Sequence, residues 1–272
     1  LPQMIIFKSI NKLNKKVNFK ANIGFVPTMG SLHNGHISLI KSCKLKCKKT
    51  LVSIFVNPSQ FNKTNDFKKY PRDLKRDVAI LKKLNVDYLL VPKINDIYNN
   101  KKSMKININK KDKILCAKYR PGHFEGVLGV INQFLTKIKP KYMFLGEKDY
   151  QQIYLIRKFI MNKFNTKIVS CKTIRLKSSL AYSSRNALLS KKEIFKASLA
   201  SKMTNNFYKL AKKNFVKIKK INELKRKIEF QKIKVEYLEL RNKKNLSTKV
   251  NKSNFKIFLS FYINKVRLID NF

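Results

Sequence analysis

Short apolar runs alternate with amphipathic segments through about the first 175 residues of the chain. The apolar runs predict buried strands at residues 23–26, 50–56, 88–91, 142–145 and 167–171. Between and after them, apolar positions recur at helical spacing in residues 37–46, 74–84, 127–138 and 151–163. Strands that alternate with helices in this way predict an α/β domain with a parallel sheet and right-handed crossovers.

The pattern changes in the last third of the chain. Helical spacing at residues 191–213 and 221–230 is followed by apolar runs that predict strands at 235–240 and 256–263. All seven Gly lie between residues 24 and 146, so the tight turns are concentrated in the first part. We therefore predict two domains, an α/β domain over residues 1–174 and a smaller α+β domain over residues 175–272.

The charge of the chain is extreme, with a formal net charge of +47 from 62 Lys and Arg against 15 Asp and Glu. A basic surface attracts phosphate, so a polyanion-binding protein is one hypothesis. The Lys residues are scattered along helices and loops without interleaved aromatics, which favours a compositional bias of the whole sequence. No specific nucleic-acid partner is therefore predicted.

Targeting and redox features predict a cytoplasmic protein. No apolar run approaches the length of a membrane span, and the apolar N-terminal stretch is too short for the core of a signal peptide. Cys43 and Cys47 are four residues apart without a second pair to complete a zinc site. The four Cys are therefore predicted to be free thiols in a reducing compartment.

Three of the seven Gly and two of the three His fall in one stretch, Gly24-Phe-Val-Pro-Thr-Met-Gly-Ser-Leu-His-Asn-Gly-His36. It predicts a strand, a turn and the start of a helix, which is where α/β proteins bind nucleotide phosphates. His33 and His36 would share one face of the first helical turn, and Gly35 would let a ligand approach the backbone. Two surface histidines on an ordinary helix are the alternative for this motif alone.

Polar residues follow the next predicted strand. Asn57-Pro-Ser-Gln60 ends it, and the Gln60 amide can both donate to and accept from a small hydroxy acid. An ordinary Asn-Pro turn is the simpler interpretation of this segment alone. Further along, Asp66 and Asp77 can hold Mg²⁺ through water beside phosphates, or serve as helix caps and surface groups.

Three later motifs add charge and hydrogen-bonding groups. Gly146-Glu-Lys-Asp-Tyr-Gln-Gln152 offers Lys148 to a phosphate, Asp149 to ribose hydroxyls, and a second glutamine one helical turn on. Ala181-Tyr-Ser-Ser-Arg-Asn186 combines hydroxyls with the Arg185 guanidinium, a strong donor to phosphate. Arg120-Pro-Gly-His-Phe-Glu-Gly126 holds the third His and either lines a pocket or begins a helix.

Taken together and in this order, the motifs resemble the pantothenate synthetase (pantoate–β-alanine ligase) family. The resemblance covers nearly the whole chain, and six or more motifs in register are highly specific. The segments that carry it are Gly24 to His36, Ser53 to Phe61, Tyr70-Pro-Arg72, Pro121-Gly-His-Phe124, Gly146 to Asp149 with Gln151-Gln152, Ser183-Ser-Arg-Asn186, Val235-Glu-Tyr-Leu-Glu239 and Arg267-Leu-Ile-Asp-Asn271.

The resemblance implies a Rossmann-like domain of the nucleotidyltransferase superfamily with a parallel sheet, a small α+β C-terminal lid domain, and a homodimer. It also implies a two-step ligation that uses ATP and Mg²⁺. Pantoate and ATP give pantoyl adenylate and pyrophosphate, and β-alanine then displaces AMP to give pantothenate.

The resemblance assigns roles to residues at matching positions. His36 matches the proton donor, and His33, Lys148 and Arg185 join it as catalytic residues. Gln60 and Gln152 match the glutamines that bind pantoate, with Gln60 also serving β-alanine, and Asp77 matches a position near Mg²⁺. The positions matching the ATP site are Met29, Gly30, Ser31, Leu32, His33, Asn34, Gly35, His36, Gly146, Glu147, Lys148, Asp149, Ile174, Tyr182, Ser183, Ser184 and Arg185.

The chain departs from the family pattern at a few places. Ser178-Ser179 replaces a usual Asp-Gly, and Asn264 replaces a usual Gly. Gly129 and Gln133 stand where Thr and Lys are usual. These departures bear on loop geometry and catalytic rate and do not touch the phosphate and pantoate positions.

A related function is the main alternative to the ligase. A nucleotidyltransferase or a tRNA-synthetase relative would share the His-x-Gly-His motif without an acid-binding pocket. Gln60 and Gln152 argue against that class, because it has no need of either side chain.

Overall fold

The computed structural model describes residues 3–19, 22–62, 64–98 and 106–272, without the side chains of residues 216 and 217. The chain divides into two compact units, Leu1–Lys172 and Thr173–Phe272. We call them the first unit and the second unit. The division falls after residue 172, whereas the sequence places the boundary after residue 174.

The first unit is built on a six-stranded parallel sheet with the order β1-β4-β3-β2-β5-β6. Its strands are β1 Ile5–Phe7, β2 Ile23–Thr28, β3 Lys49–Ile54, β4 Tyr88–Leu90, β5 Tyr142–Gly146 and β6 Lys167–Cys171. The central strands β2 and β3 are almost entirely buried, as expected for parallel strands covered on both faces. The predicted α/β fold with a parallel sheet is confirmed.

Helices connect these strands. In the part of the unit that the structure describes they are α1 Ile10–Lys16, α2 Asn34–Lys46, α3 Thr64–Lys69, α4 Leu74–Lys83, α5 Ile94–Ile97, α6 Cys116–Tyr119, α7 His123–Ile138 and α8 Tyr150–Phe159. α2 and α7 begin before the predicted residues 37 and 127, because polar and Gly residues in their first turns hide the helical spacing. α8 ends before residue 163, and a short 3-10 turn, Met161–Lys163, follows it.

The close packing of α2 on the sheet explains two of the cysteines. A Cβ on Gly24 would lie 2.3 Å from Cys43 Sγ and 2.8 Å from Cys47 Sγ, so only Gly allows α2 to approach β2 this closely. All four Cys are buried and free of disulfides. Burial raises the pKa of Cys43 to about 12, so this thiol stays protonated as a core residue.

The strand order identifies where a ligand is expected. From β2 the chain proceeds to β3 and β4 on one side, whereas β5 and β6 lie on the other side. The direction in which successive strands are added to the sheet therefore reverses between β2 and β5. In open α/β sheets, ligands bind at such a point, in the crevice outside the carboxyl ends of the strands.

The second unit is a three-stranded antiparallel sheet with the order β7-β8-β9, covered by two long helices. The elements are α9 Lys191–Lys213, α10 Ile221–Phe230, β7 Lys234–Asn242, β8 Phe255–Ile263 and β9 Val266–Asn271. The core includes Ala200, Ile228, Leu259 and Phe261, each fully buried. The predicted α+β character of this part is thus observed, with β9 as an additional strand.

Two departures from the family pattern lie where the backbone favours glycine. Ser179 has φ of 76° and Asn264 has φ of 51°, and both values are in the left-handed region. A Cβ in that region costs roughly 1 kcal/mol, although Asn tolerates it better than Ser. The chain therefore keeps both turns without the glycines, at a cost in the stability of the second unit.

Candidate active site

The turn between β2 and α2 is held by a buried carboxylate. Gly30 and Ser31 both have positive φ, 77° and 50°. Asp77, on α4, is 1% exposed and accepts hydrogen bonds from the backbone N–H groups of Ser31 and Leu32, each at 2.8 Å. A Cβ on Gly30 would lie 2.9 Å from Asp77 Oδ2, so the absence of a side chain at Gly30 leaves room for the carboxylate. The strained turn is fixed by these contacts.

His33 is the N-cap of α2 and its tautomer follows from its contact. The backbone N–H of Gly35 donates to His33 Nδ1 at 3.1 Å, so Nδ1 carries no proton. The neutral ring therefore holds its proton on Nε2, which can donate to a ligand. Asn34 and Gly35 form the start of the helix at the same place, where the helix dipole favours an anion.

His33 and His36 form a stacked pair, with ring centroids 4.0 Å apart. Burial lowers the pKa of His33 to about 2, and the charges of His36 and Lys148 act in the same direction. Burial also lowers the pKa of His36 to about 4, with Lys148 adding to the shift and Asp149 opposing it. Both imidazoles are therefore neutral at pH 7. The buried Nδ1 of His36 has no hydrogen-bond partner among the described residues.

The histidine pair predicts how stability depends on pH. The folded pKa values, about 2 and about 4, lie below the unfolded value of 6.5. Below pH 6.5 the unfolded chain therefore binds protons that the folded chain rejects, and stability falls as the pH falls. As the pH falls from 6 to 4.5, we expect each histidine to lower the free energy of unfolding by about 1 kcal/mol per pH unit. Urea unfolding of the native protein and of the double variant His33→Gln, His36→Gln measures the difference, and parallel pH profiles would contradict it.

The carboxyl end of β5 brings the predicted charge to the same place. Lys148 Nζ lies 3.2 Å from Asp149 Oδ1, and the Lys148 side chain is 19% exposed. Lys148 is close enough to both imidazoles for its charge to lower their pKa values. Gly146 has an ordinary φ of −83°, and a Cβ there would meet only Leu39, at 3.9 Å. The fold itself does not require Gly146, so space beside it is left for a ligand. Glu147 follows in the same short 3-10 turn.

Gln60 lies in the 3-10 turn that follows β3, next to the turn between β2 and α2. Its side chain is buried, and its amide nitrogen contacts the sulfur of Met29. The amide oxygen accepts from Asn57 Nδ2 at 3.4 Å. Met29 therefore connects the predicted phosphate turn with the predicted pantoate-binding glutamine, and the structure brings these two groups of residues together.

Asn57 is a residue whose importance the sequence did not reveal. It is 1% exposed, and its side-chain oxygen accepts from Ser59 Oγ at 2.9 Å and from Tyr98 OH at 3.0 Å. Its Nδ2 donates to the carbonyl of Gly126 at 3.1 Å. The Asn-Pro pair is the available signal, and by itself it indicates only an ordinary turn. The hydrogen bonds show that Asn57 organises the turn that carries Gln60.

The two neighbouring glutamines of α8 have different surroundings. Gln151 is 6% exposed and donates from Nε2 to the carbonyl of Ile114 at 2.7 Å. This bond ties α8 to the segment before α6. Gln152 is only partly buried. Its predicted contact with pantoate, opposite Gln60, stays a prediction.

The remaining predicted ATP residues lie in the second unit, in a closed loop. The backbone N–H of Tyr182 donates to the carbonyl of Ile174 at 3.1 Å, and Arg175 pairs with Ala181. The N–H of Arg185 donates to Ser183 Oγ at 3.3 Å, and Ser184 is buried. The loop therefore brings Ile174 close to the segment Tyr182–Arg185.

A buried ion pair anchors this loop. Arg175 donates to both carboxylate oxygens of Asp270, at 2.6 and 2.9 Å, and to the carbonyl of Ser179 at 2.9 Å. The Asp270 side chain is 1% exposed and also accepts from Ser201 Oγ at 3.1 Å. The C-terminal Arg267-Leu-Ile-Asp-Asn271 motif thus has a structural function in the second unit, which is to hold the loop that contains Ile174 and Arg185.

The predicted metal role of Asp77 does not fit its contacts. Both carboxylate oxygens already bind backbone N–H groups, so a cation would compete with them. Burial raises the pKa of this carboxyl, against the effect of the two N–H groups. Among the residues that the structure describes, no cluster of three or more His, Cys, Asp or Glu could hold a metal.

Within the described ranges, every helix is too short or too polar to cross a lipid bilayer.

Comparison with known proteins agrees with the geometry. The family model for pantoate-beta-alanine ligase matches residues 5–272. The pantothenate synthetase of Francisella tularensis subsp. novicida is 42% identical over 274 residues, covering 99% of this chain and 97% of that protein.

Two solved structures also match over almost the whole chain. Pantoate-beta-alanine ligase from Francisella tularensis, complexed with beta-gamma ATP and beta-alanine, has a TM-score of 0.86 and 41% identity, covering 99% of this chain and 97% of that one. Pantothenate synthetase from Thermus thermophilus has a TM-score of 0.88 and 28% identity, covering 99% of each chain. The chain described here belongs to the pantoate–β-alanine ligase family.

Proposed function

We propose that this chain joins pantoate to β-alanine with the consumption of ATP, through a pantoyl-adenylate intermediate. The observation that carries the proposal is the meeting of two groups at the switch point of the sheet. The charge of Lys148 lowers the pKa of both members of the neutral pair His33 and His36, and the Met29 end of the same turn contacts Gln60. The contact between Met29 and Gln60 therefore supports a site in which a group predicted to bind phosphate lies next to a group predicted to bind the acid.

The first step forms the acyl adenylate. A carboxylate oxygen of pantoate bonds to the α-phosphorus of ATP, the bond to the oxygen bridging to the β-phosphate breaks, and pyrophosphate leaves with the electron pair. Both reactants are anions, so positioning and charge neutralisation supply most of the acceleration. Lys148 provides a fixed positive charge, and the Nε2–H of His33 provides a neutral donor to phosphate oxygens.

His36 has the role of proton donor by its match to the family. Its low pKa means that the free enzyme holds it neutral at pH 7. A bound polyphosphate would counter the burial that lowers this pKa, since a nearby negative charge favours the imidazolium form. Proton uptake on ATP binding would then prepare His36 to stabilise the leaving pyrophosphate.

The second step forms the amide. The β-alanine amine bonds to the acyl carbon of pantoyl adenylate, the bond from that carbon to the phosphate oxygen breaks, and AMP leaves. The neutral amine releases one of its two N–H protons to the solvent in this step, and the amide nitrogen keeps the other. Water must be excluded, because an acyl adenylate hydrolyses readily. We propose that the second unit acts as the lid for this step and supplies Ile174, Tyr182, Ser183, Ser184 and Arg185 to the nucleotide.

Two further expectations belong to this proposal. Mg²⁺ would arrive on the phosphate oxygens of ATP, its usual mode of binding, and not on Asp77. The protein would be a homodimer, which light scattering of the purified chain measures directly.

An omission assay tests the proposed function. The purified protein is incubated with ATP, Mg²⁺, pantoate and β-alanine, and AMP, pyrophosphate and pantothenate are measured with each substrate left out in turn. We expect sustained AMP release only in the complete mixture. ATP consumption that is indifferent to pantoate would favour a different nucleotidyltransferase.

A further inference from the structure

His123 is the histidine that the phosphate site does not use. It is the first residue of α7, lies at 9% exposure, and its ring sits between two groups. Arg120 Nη1 lies 2.9 Å from Nε2, and the backbone carbonyl of Gln60 lies 2.7 Å from Nδ1. The ring thus contacts the residue that is proposed to bind pantoate.

The two contacts fix the tautomer of His123. A guanidinium can only donate, so Nε2 must accept from Arg120 and carries no proton. Nδ1 therefore holds the proton of the neutral ring and donates it to the Gln60 carbonyl. Arg120 Nη2 adds a longer hydrogen bond to the same carbonyl, at 3.4 Å. Arg120 orients the imidazole, and the imidazole holds the Gln60 backbone.

The rest of the first turn of α7 holds the same segment. A Cβ on Gly126 would lie 2.4 Å from the Ser59 carbonyl oxygen and 2.8 Å from Gln60 N, so the helix backbone packs directly on the turn. The carbonyl of Gly126 accepts from Asn57 Nδ2 at 3.1 Å. The short 3-10 turn Pro58–Gln60 is therefore fixed from α7 at both ends.

We infer that His123 is a positioning residue for the acid substrate, acting through the backbone of Gln60, an inference that rests on the proposed function. A carbonyl held by two donors leaves the Gln60 side chain little freedom to shift. Displacement of a substrate-binding group by about 1 Å can cost on the order of 100-fold in rate. The effect is confined to the acid, because the turn that is proposed to bind the phosphates is held separately, by the Asp77 carboxylate.

Three variants test the inference. His123→Ala removes both hydrogen bonds, whereas His123→Asn keeps a donor where Nδ1 stood and loses the acceptor for Arg120. Val130→Ala, on the same helix and also buried, is the control for general destabilisation. The measurements are kcat, KM for pantoate, KM for ATP, and calorimetric binding of pantoate to the full chain.

We expect His123→Ala to raise KM for pantoate about 10- to 100-fold with KM for ATP changed less than about threefold. His123→Asn should recover most of that loss, and Val130→Ala should leave both constants near the native values. A KM for pantoate that stays within twofold in His123→Ala overturns the inference, as does equal damage in the Ala and Asn variants. If His123→Ala does not fold, calorimetry on His123→Asn and Arg120→Gln decides, and pantoate affinity equal to that of the native protein in both overturns it. Native protein without pantoate-dependent AMP release would overturn the proposed function as well, so the two failures are distinguishable.

Discussion

Replacing Lys148 with Met is expected to lower kcat by about 1000-fold, equivalent to about 4 kcal/mol of transition-state stabilisation. Lys148 is largely buried, and its charge lowers the pKa of both histidines. Charge in a partly dehydrated crevice acts far more strongly than the same charge in water. Steady-state AMP release measures the effect, with KM for ATP determined alongside.

Two further variants separate position from charge in this experiment. Lys12→Met removes one exposed positive charge from a chain of net charge +47, and activity should be unchanged. Lys148→Arg keeps the charge in a larger, planar group and should recover only part of the rate. Retention of more than a tenth of the native kcat in Lys148→Met would show that the phosphate charge is neutralised elsewhere.

Replacing Asp77 with Asn is expected to lower the free energy of unfolding by about 2–4 kcal/mol and to reduce activity with it. The carboxylate accepts from two backbone N–H groups with its two oxygens. Asn offers one acceptor, so one N–H would face an amide donor in a buried place. The two residues of positive φ, Gly30 and Ser31, would lose their support, and the histidines that follow them would shift.

The metal hypothesis gives a different result for the same variant. If Asp77 served Mg²⁺, Asp77→Asn would change the Mg²⁺ dependence of activity and leave stability in metal-free buffer near the native value. Asp73→Asn is the matched control on α4, since exposed Asp73 caps the helix by accepting from the Arg76 N–H at 2.9 Å. We expect it to cost about 1 kcal/mol or less. Urea unfolding in the presence of a chelator distinguishes the two roles of Asp77.

The parts of the fold that the sequence predicts are those whose signal is local. The run at residues 23–26 and the histidine pair after it predict a strand, a turn and a helix, and β2 and α2 are found there. β1 was not predicted, because it has only three residues at the sheet edge, where Ile5 and Ile6 remain 37% and 43% exposed. β9 was not predicted either. It follows β8 through a turn at Asn264, which has a positive φ, and the sequence there lacks the Asn-Gly pair that usually indicates such a turn.

The contacts that fix the site are not local and could not be read from spacing. Asp77 lies 46 residues from Ser31, and the ring of His123 lies 63 residues from Gln60. The sequence presented Asp77 as a cap or a metal ligand, and His123 as part of a segment that either lines a pocket or begins a helix, and α7 does begin there. Each has its function through a backbone group of a distant residue, and backbone groups carry no sequence signal. The chemistry of the side chains was therefore predictable from the sequence, whereas the hydrogen bonds from distant residues that hold them in place were not.

The central claim is that the pantoate carboxylate attacks the α-phosphorus of ATP. Pantoate labelled with ¹⁸O in both carboxylate oxygens tests it most directly, with AMP, pyrophosphate and pantothenate examined by mass spectrometry after a complete reaction. An acyl adenylate requires that one labelled oxygen leave in AMP and the other remain in the amide carbonyl of pantothenate. Label in inorganic phosphate or pyrophosphate, with none in AMP, would contradict the account.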